Sequence, residues 1–346
     1  MPSREELKSL QSLPLNVKIR KTQQRIREWV EYYGEDGVYV SFSGGKDSTV
    51  LLDIVRKMYP GIEAVFVNTG LEYPEIVDFV KQFENTTILR PKKNFRQILT
   101  EYGYPVISKE VASKVGEVRV SIKRGKTNTV RYRQFFYPDK NSRYDLSRWV
   151  FLTNAPFRIS DLCCDIMKKK PAHDYEKSGK TGILGQMADE SLLRKQKWIK
   201  YGCNAFDLKS PQSNPLSFWT NNDVLTYIHT YRLPIASVYG DIVPYDNDQV
   251  TGQLNIYDIS GDYRGCKYRT TGCERTGCMF CLFGAHLEKR EGRLERMKRT
   301  HPKRYEYVMS GGEFGEDGMW IPNSKGLGFK FVIDWLNEHG NLHIRY

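Results

Sequence analysis

Val38-Tyr-Val-Ser-Phe-Ser-Gly-Gly-Lys-Asp-Ser-Thr-Val50 is the stretch that decides the fold. Its apolar run, Val38 to Phe42, predicts a buried strand, and Val50, Leu51, Ile54, Val55 and Met58 then recur at helical spacing. Between them lies the loop Ser43-Gly44-Gly45-Lys46-Asp47-Ser48. A strand, a glycine turn and a helix aim backbone N–H groups and the positive end of a helix dipole at one spot, where a phosphate fits. Gly44 and Gly45 tolerate positive φ and close approach of a ligand, Lys46 adds a point charge, and Ser43 and Ser48 add hydroxyl donors. The spacing is not that of the Walker loop, which has four residues between its first Gly and Gly-Lys. The plain alternative is an ordinary strand–helix turn rich in small residues.

Ser43-Gly-Gly-Lys-Asp-Ser48 resembles the pyrophosphate loop of the ATP pyrophosphatases. The resemblance implies a loop that grips the β- and γ-phosphates of ATP while a nucleophile attacks the α-phosphorus, giving an adenylylated acceptor and pyrophosphate. It implies Mg²⁺ bridging the phosphates. It assigns catalysis to Lys46, Asp47 and Ser48, and nucleotide contacts to Ser41, Phe42, Ser43, Gly44, Gly45, Lys46, Asp47 and Ser48.

Working outward, Ile62–Val67 predicts a second buried strand, ending in Asn68-Thr69-Gly70. Ile76, Val77, Val80 and Phe83 mark a helix face, and Thr87–Leu89 and Thr181–Gly185 predict further strands. Strands alternating with helices predict an α/β fold with a doubly wound, mainly parallel sheet, whose ligands bind at strand carboxyl ends beside a topological switch point. Both the Ser43–Ser48 loop and the Asn68–Gly70 turn are expected there.

Val67-Asn-Thr-Gly-Leu-Glu-Tyr-Pro-Glu75 looks like the second signature of the phosphoadenosine-phosphosulfate reductase family, with Asn68 where Asp is usual. Gly185, Glu190, Ser191 and Arg194 match a third family segment, with Met187 where an Arg is usual and Lys195 and Lys197 nearby. The resemblance implies an adenine-nucleotide alpha-hydrolase-like fold and adds Asn68, Thr69, Gly70, Gly185, Glu190 and Arg194 to the nucleotide contacts.

A length of 346 residues allows a sizeable core. Residues 1–35 are expected to form a helical segment, 36–212 the nucleotide-binding domain, and 213–346 a cysteine-rich, mostly helical elaboration packed on it. No apolar run is long enough to span a membrane, and a cytoplasmic location is expected. The net charge of +12 suits a polyanionic partner, DNA or tRNA, or else a solvated basic surface. Residues 90–133 concentrate cations, among them Lys109, Arg119, Lys123, Arg124, Lys126 and Arg133, and end on Tyr132, Phe135, Phe136 and Tyr137. Cations with aromatics suit an unstacked nucleic acid; a helix with a solvated face is the equal alternative. Residues 125–143 read as a mobile excursion. Thr220 with Asp223 reads as a helix N-cap.

Seven cysteines without an apolar leader favour metal or cluster ligands over disulfides. Cys278 and Cys281 have C-x-x-C spacing, Cys273 lies shortly before, and Cys163 and Cys164 are adjacent. Four thiolates suit an iron–sulfur cluster or structural zinc. The two pairs resemble the four-iron–four-sulfur ligands of the adenylylsulfate reductases. The expected ligands are Cys163, Cys164, Cys273, Cys278 and Cys281, with Cys266 as a spare, Cys203 apart, and His286 packed rather than ligating.

Sulfonucleotide reductases typically have a degenerate pyrophosphate loop and a nucleophilic Cys near the C-terminus. This chain has an intact Ser-Gly-Gly-Lys-Asp-Ser, and no cysteine follows Cys281. The resemblance therefore points to an ATP pyrophosphatase that activates an acceptor for sulfur insertion, as in DNA phosphorothioation or tRNA thiolation, with a cysteine desulfurase as sulfur donor. The alternatives are a sulfonucleotide reductase releasing sulfite, and a non-catalytic ATP-sensing module that binds nucleic acid.

Overall fold

Residues 2–139, 144–245, 267–289 and 291–346 are described by the structure, a computed structural model. The protein is α/β, and its chain forms two compact units, each assembled from separated stretches. The first comprises Met1–Asn68, Glu72–Leu89 and Ala172–Thr276; the second comprises Thr69–Leu71, Arg90–Pro171 and Gly277–Tyr346. Residues 90–171, grouped by sequence with the nucleotide domain, thus belong to the second unit.

The first unit is built on a six-stranded sheet with flanking helices. Its strands run in the order Thr86–Leu89, Ala64–Val67, Val38–Ser41, Thr181–Leu184, Gln212–Ser213 and Asn204–Ala205. All neighbours are parallel except the last pair. Val38, Tyr39 and Val40 are all buried, as are Ala64, Val65 and Phe66, so these strands bury both faces. That is why they read in sequence as continuous apolar runs rather than alternating ones. The chain leaves Val38–Ser41 toward one edge of the sheet, then returns to pair Thr181–Leu184 on its other side, with Val40 opposite Ile183. This reversal is the switch point of the sheet.

Helix Lys46–Met58 packs against helices Leu15–Tyr33 and Asn221–Tyr231. Leu15–Tyr33 buries Ile26, Trp29 and Val30, as its apolar positions predict. Its Lys18 ammonium is also buried, 2.6 Å from the Asp223 carboxylate. Asp223 is held by the start of its own helix, where Thr220 N–H and Asp223 N–H close a capping box.

The second unit is mostly helical. Its principal helices are Phe95–Glu101, Lys109–Lys123, Val130–Phe136, Arg293–Thr300, Pro302–Met309 and Phe329–Gly340. Helix Val130–Phe136 forms within the stretch read from sequence as a mobile excursion; Thr129 caps it, accepting from Tyr132 N–H. Residues 140–143 of that expectation lie outside the described residues. The charged run that begins at Glu288 becomes helical only at Arg293, after Gly292. Tyr104, Phe157 and Phe329 are fully buried here. The Tyr104 hydroxyl donates to the Leu327 carbonyl at 2.8 Å, which satisfies the one polar atom it brings inside. A two-stranded parallel ladder joins Val106–Ile107 to Leu282–Phe283.

Candidate functional site

The loop after Val38–Ser41 stands at the switch point. Helix Lys46–Met58 begins on Gly45, which has no side chain to cap it, so a distant hydroxyl, that of Tyr239, meets its first N–H. Gly44 has φ +70, and a Cβ there would lie 2.7 Å from Val80 Cγ2 and 2.8 Å from Ile76 Cγ2. The loop is therefore pressed against helix Pro74–Val80. Its remaining groups hold each other: Ser43 N–H donates to Ser48 Oγ at 3.2 Å, and the Ser48 hydroxyl donates to the Gly45 carbonyl at 2.9 Å. The Lys46 ammonium is buried 3.2 Å from Asp47 Oδ1.

Gly185, at the end of Thr181–Leu184, comes up to this loop. A Cβ on it would meet the Asp47 carbonyl and Ser48 Cα at 3.2 Å. The following turn carries Glu190 and Arg194. Glu190 accepts from the Met187 N–H at 2.9 Å and pairs with the Arg194 guanidinium. Met187 itself is buried. Burial pulls Arg194 below its ordinary range; Asp47 opposes this and Arg275 adds to it. Lys197 is lowered by burial and by Arg194. Cationic Arg194, Arg275 and Lys197 thus gather on the side of the site where Asp47 is the counter-charge.

Tyr239, Thr276 and Arg275 were not singled out from sequence. Lys46 N–H donates to the Tyr239 hydroxyl at 3.2 Å, and that hydroxyl lies 2.6 Å from Thr276 Oγ1. Burial pushes the Tyr239 phenol up to about 12, so it remains a hydroxyl at neutral pH. The pairing of Gly272 and Cys273 N–H groups with the Tyr239 and Val238 carbonyls, next to the ladder of Ile242–Tyr245 with Lys267–Thr270, brings these distant residues to the loop.

Ser41, Phe42, the Ser43–Ser48 loop, Asn68, Gly185, Glu190 and Arg194 all belong to the first unit. Asn68 follows the Ala64–Val67 strand, and its N–H donates to Leu89 O at 2.9 Å. Thr69 and Gly70 belong to the second unit, where Met279 N–H donates to Leu71 O.

Gly44→Ala is expected to fail on two counts. The left-handed backbone costs an L residue about 1–2 kcal/mol, and the crowding against Ile76 and Val80 about 1–3 kcal/mol more. The variant should melt several degrees lower, as read by calorimetric melting; an unchanged melting temperature would show that the loop accepts the added methyl group.

Cys163, Cys164, Cys278 and Cys281 all belong to the second unit, and their thiols lie in one another's field. Cys163 and Cys164 open a helical stretch that passes through a π turn, Asp165–Lys169, in which Lys170 N–H bonds Asp165 O. The wider turn makes room for Pro171, which would clash in a regular helix. Cys163 is pushed up by the hydrogen bond it shares with Cys164 and by burial. Cys164 is pulled down by that same bond against the effect of burial, with Lys109 and Lys168 adding to the lowering. Burial pushes Cys281 up to about 11. Lys109, read in sequence as part of a surface run, therefore faces a thiol. It follows Ile107, a β-branched residue held at φ +65, and Ser108, the helix N-cap.

Cys273 is buried in the first unit, apart in grouping from these four. Cys266 lies outside the described residues. Among the described residues no group of three or more His, Cys, Asp or Glu is arranged to hold a single metal ion. His286 is packed as expected, its ring 5.6 Å from Trp149.

Two residues of the basic run turn inward. Arg119 donates to the carbonyls of Phe157, Leu152 and Ala155 at 2.7–2.8 Å, and Phe135 is buried. Neither is available to a nucleic acid. Among the described residues no helix is long and apolar enough to cross a membrane.

The chain was compared with known proteins. The phosphoadenosine phosphosulfate reductase domain matches residues 37–114 and 109–281. An uncharacterized protein of Methanocaldococcus jannaschii is 31% identical over 113 residues, which are 31% of this chain and 26% of that protein. The adenosine 5'-phosphosulfate reductase of Staphylococcus haemolyticus is 24% identical over 220 residues, 63% of this chain and 72% of that enzyme. Adenosine 5'-phosphosulfate reductase 2 of Bacillus subtilis is 24% identical over 256 residues, 74% of this chain and 85% of that enzyme. The match thus spans about a quarter of the archaeal protein and most of the bacterial ones. A solved phosphoadenylyl-sulfate reductase from Candida auris, in a phosphate complex, aligns with a TM-score of 0.37 and 16% identity, over 68% of this chain and 91% of that one. With the domain matched over most of its length, the chain belongs to the phosphoadenosine phosphosulfate reductase domain family.

Proposed function

We propose that the protein is an ATP pyrophosphatase that adenylylates a nucleic-acid acceptor for sulfur insertion. The observation that supports this best is the intact Ser43–Ser48 loop, seated at the switch point with a helix N-terminus behind it. An anion there would meet a helix dipole and the Lys46 ammonium, and would take the Ser43, Gly45 and Lys46 N–H groups over from the Ser48, Ser43 and Tyr239 hydroxyls that hold them. These groups would stabilise charge on a departing pyrophosphate. Asp47 pairs with Lys46 and Glu190 with Arg194, and these carboxylates would hold the two cations in place until the nucleotide enters. Mg²⁺ would bridge the phosphates and lessen their charge.

Four thiols from two separated stretches of the second unit suit an iron–sulfur cluster ahead of zinc. Their thiols lie in one another's field, and four cysteine thiolates are the usual ligand set of such a cluster. Cys163, Cys164, Cys278 and Cys281 would hold it, and Lys109 and Lys168 would offset its thiolate charge. When bound, such a cluster supplies iron-bound sulfur chemistry or electrons.

A second reading, a sulfonucleotide reductase, is favoured by the names of the bacterial relatives. It requires a thiol that attacks the sulfur of the sulfonucleotide. Product analysis on anaerobically purified protein separates the two. AMP and pyrophosphate from ATP and Mg²⁺ support the first reading. Sulfite from adenylylsulfate with an added thiol, and no pyrophosphate from ATP, supports the second.

A further inference from the structure

From Val118 to Pro138 the chain carries six cations and no acid. The structure removes two of the six from consideration. Arg119 is spent on internal carbonyls, and Arg131 is paired with Glu117 at 2.7 Å. Lys123, Arg124, Lys126 and Arg133 are exposed, and none of them makes an ion pair among the described residues. Beside them, Val120, Ile122, Val130 and Tyr137 are exposed to 49%, 41%, 64% and 74%. Tyr132 and Phe136 stack at 4.4 Å, with Tyr137 6.4 Å from Tyr132.

These residues are presented by a fixed support. Helices Lys109–Lys123 and Val130–Phe136 pack together, Arg131 ties the second to Glu117 of the first, and Leu146 N–H donates to Gln134 O. We propose that the exposed strip Val120–Lys126, Val130, Arg133 and Tyr137 binds single-stranded nucleic acid. The inference deepens the proposed function, on whose nucleic-acid acceptor it rests, by naming the surface that takes the polymer.

The chemistry favours that occupant. Four unpaired cations without an intervening acid match a phosphate backbone. The exposed Tyr137 ring at one end matches an unstacked base, which duplex DNA does not offer. The apolar residues are single and interrupted by charge, which is unlike the continuous apolar face of a membrane-surface helix.

The test is a fluorescence-anisotropy titration of the full-length protein with a labelled mixed-sequence oligonucleotide of about 20 nucleotides, across a salt series. Four phosphate contacts give a log–log salt slope near about −2.8 for a single strand. The variant with Lys123→Ala, Arg124→Ala, Lys126→Ala and Arg133→Ala should lose most of that slope and bind at least about a hundredfold more weakly at low salt. Tyr137→Ala should weaken binding roughly five- to a hundredfold while leaving the slope unchanged. Melting curves matching wild type establish that these surface variants are folded. A wild-type protein that does not bind, a four-alanine variant with unchanged slope, or stronger binding to anionic vesicles or an acidic peptide each overturns the assignment. Pyrophosphate release measured without polymer reports on the ATP loop alone. Its failure therefore counts against the proposed function, whereas loss of oligonucleotide binding alone counts against the strip.

Discussion

Lys46→Ala is expected to abolish most pyrophosphate release from ATP, by about a thousandfold, while the protein still folds. Removing one preorganised donor to a developing negative charge commonly costs 10²- to about 10³-fold in rate. Lys46 brings a full charge, buried against Asp47 at the N-terminal end of helix Lys46–Met58, where water screens it little. The substitution should hardly disturb stability. Asp47 stays at a helix N-terminus, which favours a carboxylate, and alanine is a good helix former. Lys57→Ala, on the same helix with its ammonium largely exposed, is the control and should keep full turnover. Measured pyrophosphate release within tenfold of wild type in Lys46→Ala would falsify the role given to the loop. If sulfite release from adenylylsulfate survived instead, the reductase reading would stand.

Arg119→Met is expected to be the costliest single change in the second unit, at about 3–5 kcal/mol. Its guanidinium closes three carbonyls, those of Leu152, Ala155 and Phe157, that face inward from the turns after the Lys109–Lys123 helix. Each buried acceptor left without a partner costs about 1–3 kcal/mol, and the relief of burying a charge offsets part of the sum. Burial pulls Arg119 down to about 10, so the side chain is charged at neutral pH. Because its folded value lies below its unfolded one, the charge weakens the fold at pH below about 10, and that penalty is relieved only as pH rises through this value. The hydrogen bonds, not the charge, are what the residue contributes. Arg119→Lys should recover only part of the loss, since one ammonium cannot span three carbonyls held in fork geometry. Urea unfolding of both variants checks this; a loss below about 1 kcal/mol for methionine would show that the carbonyls find other donors.

The basic run illustrates how far sequence reaches. Its composition correctly marks a cationic segment, but composition cannot say which cations turn inward. Arg119 and Lys109 follow the same helix as Lys123, and only packing sends one to backbone carbonyls and another to the Cys164 thiol. The adjacent pairing of Cys163 with Cys164 and of Cys278 with Cys281 was legible from spacing, and the structure groups all four in one unit. Cys273 had equal standing by spacing, yet its backbone pairs with Val238 and it belongs with the first unit. Tyr239 gave no signal at all, because a tyrosine in a Val-Tyr-Gly turn is unremarkable until a hydroxyl is seen beside Lys46 N–H.

By itself the sequence determined the strand–loop–helix unit at Val38–Met58, the buried parallel strands and the helix caps. Those are set by local periodicity, glycine placement and short-range hydrogen bonds, which act between neighbours in the chain. The tertiary structure alone decided the strand order, the approach of Gly185 to Asp47, the Tyr239–Thr276 wall and the inward turn of Arg119. Each of these joins residues tens to hundreds of positions apart, and is fixed by which faces must be buried and which polar atoms must then find partners.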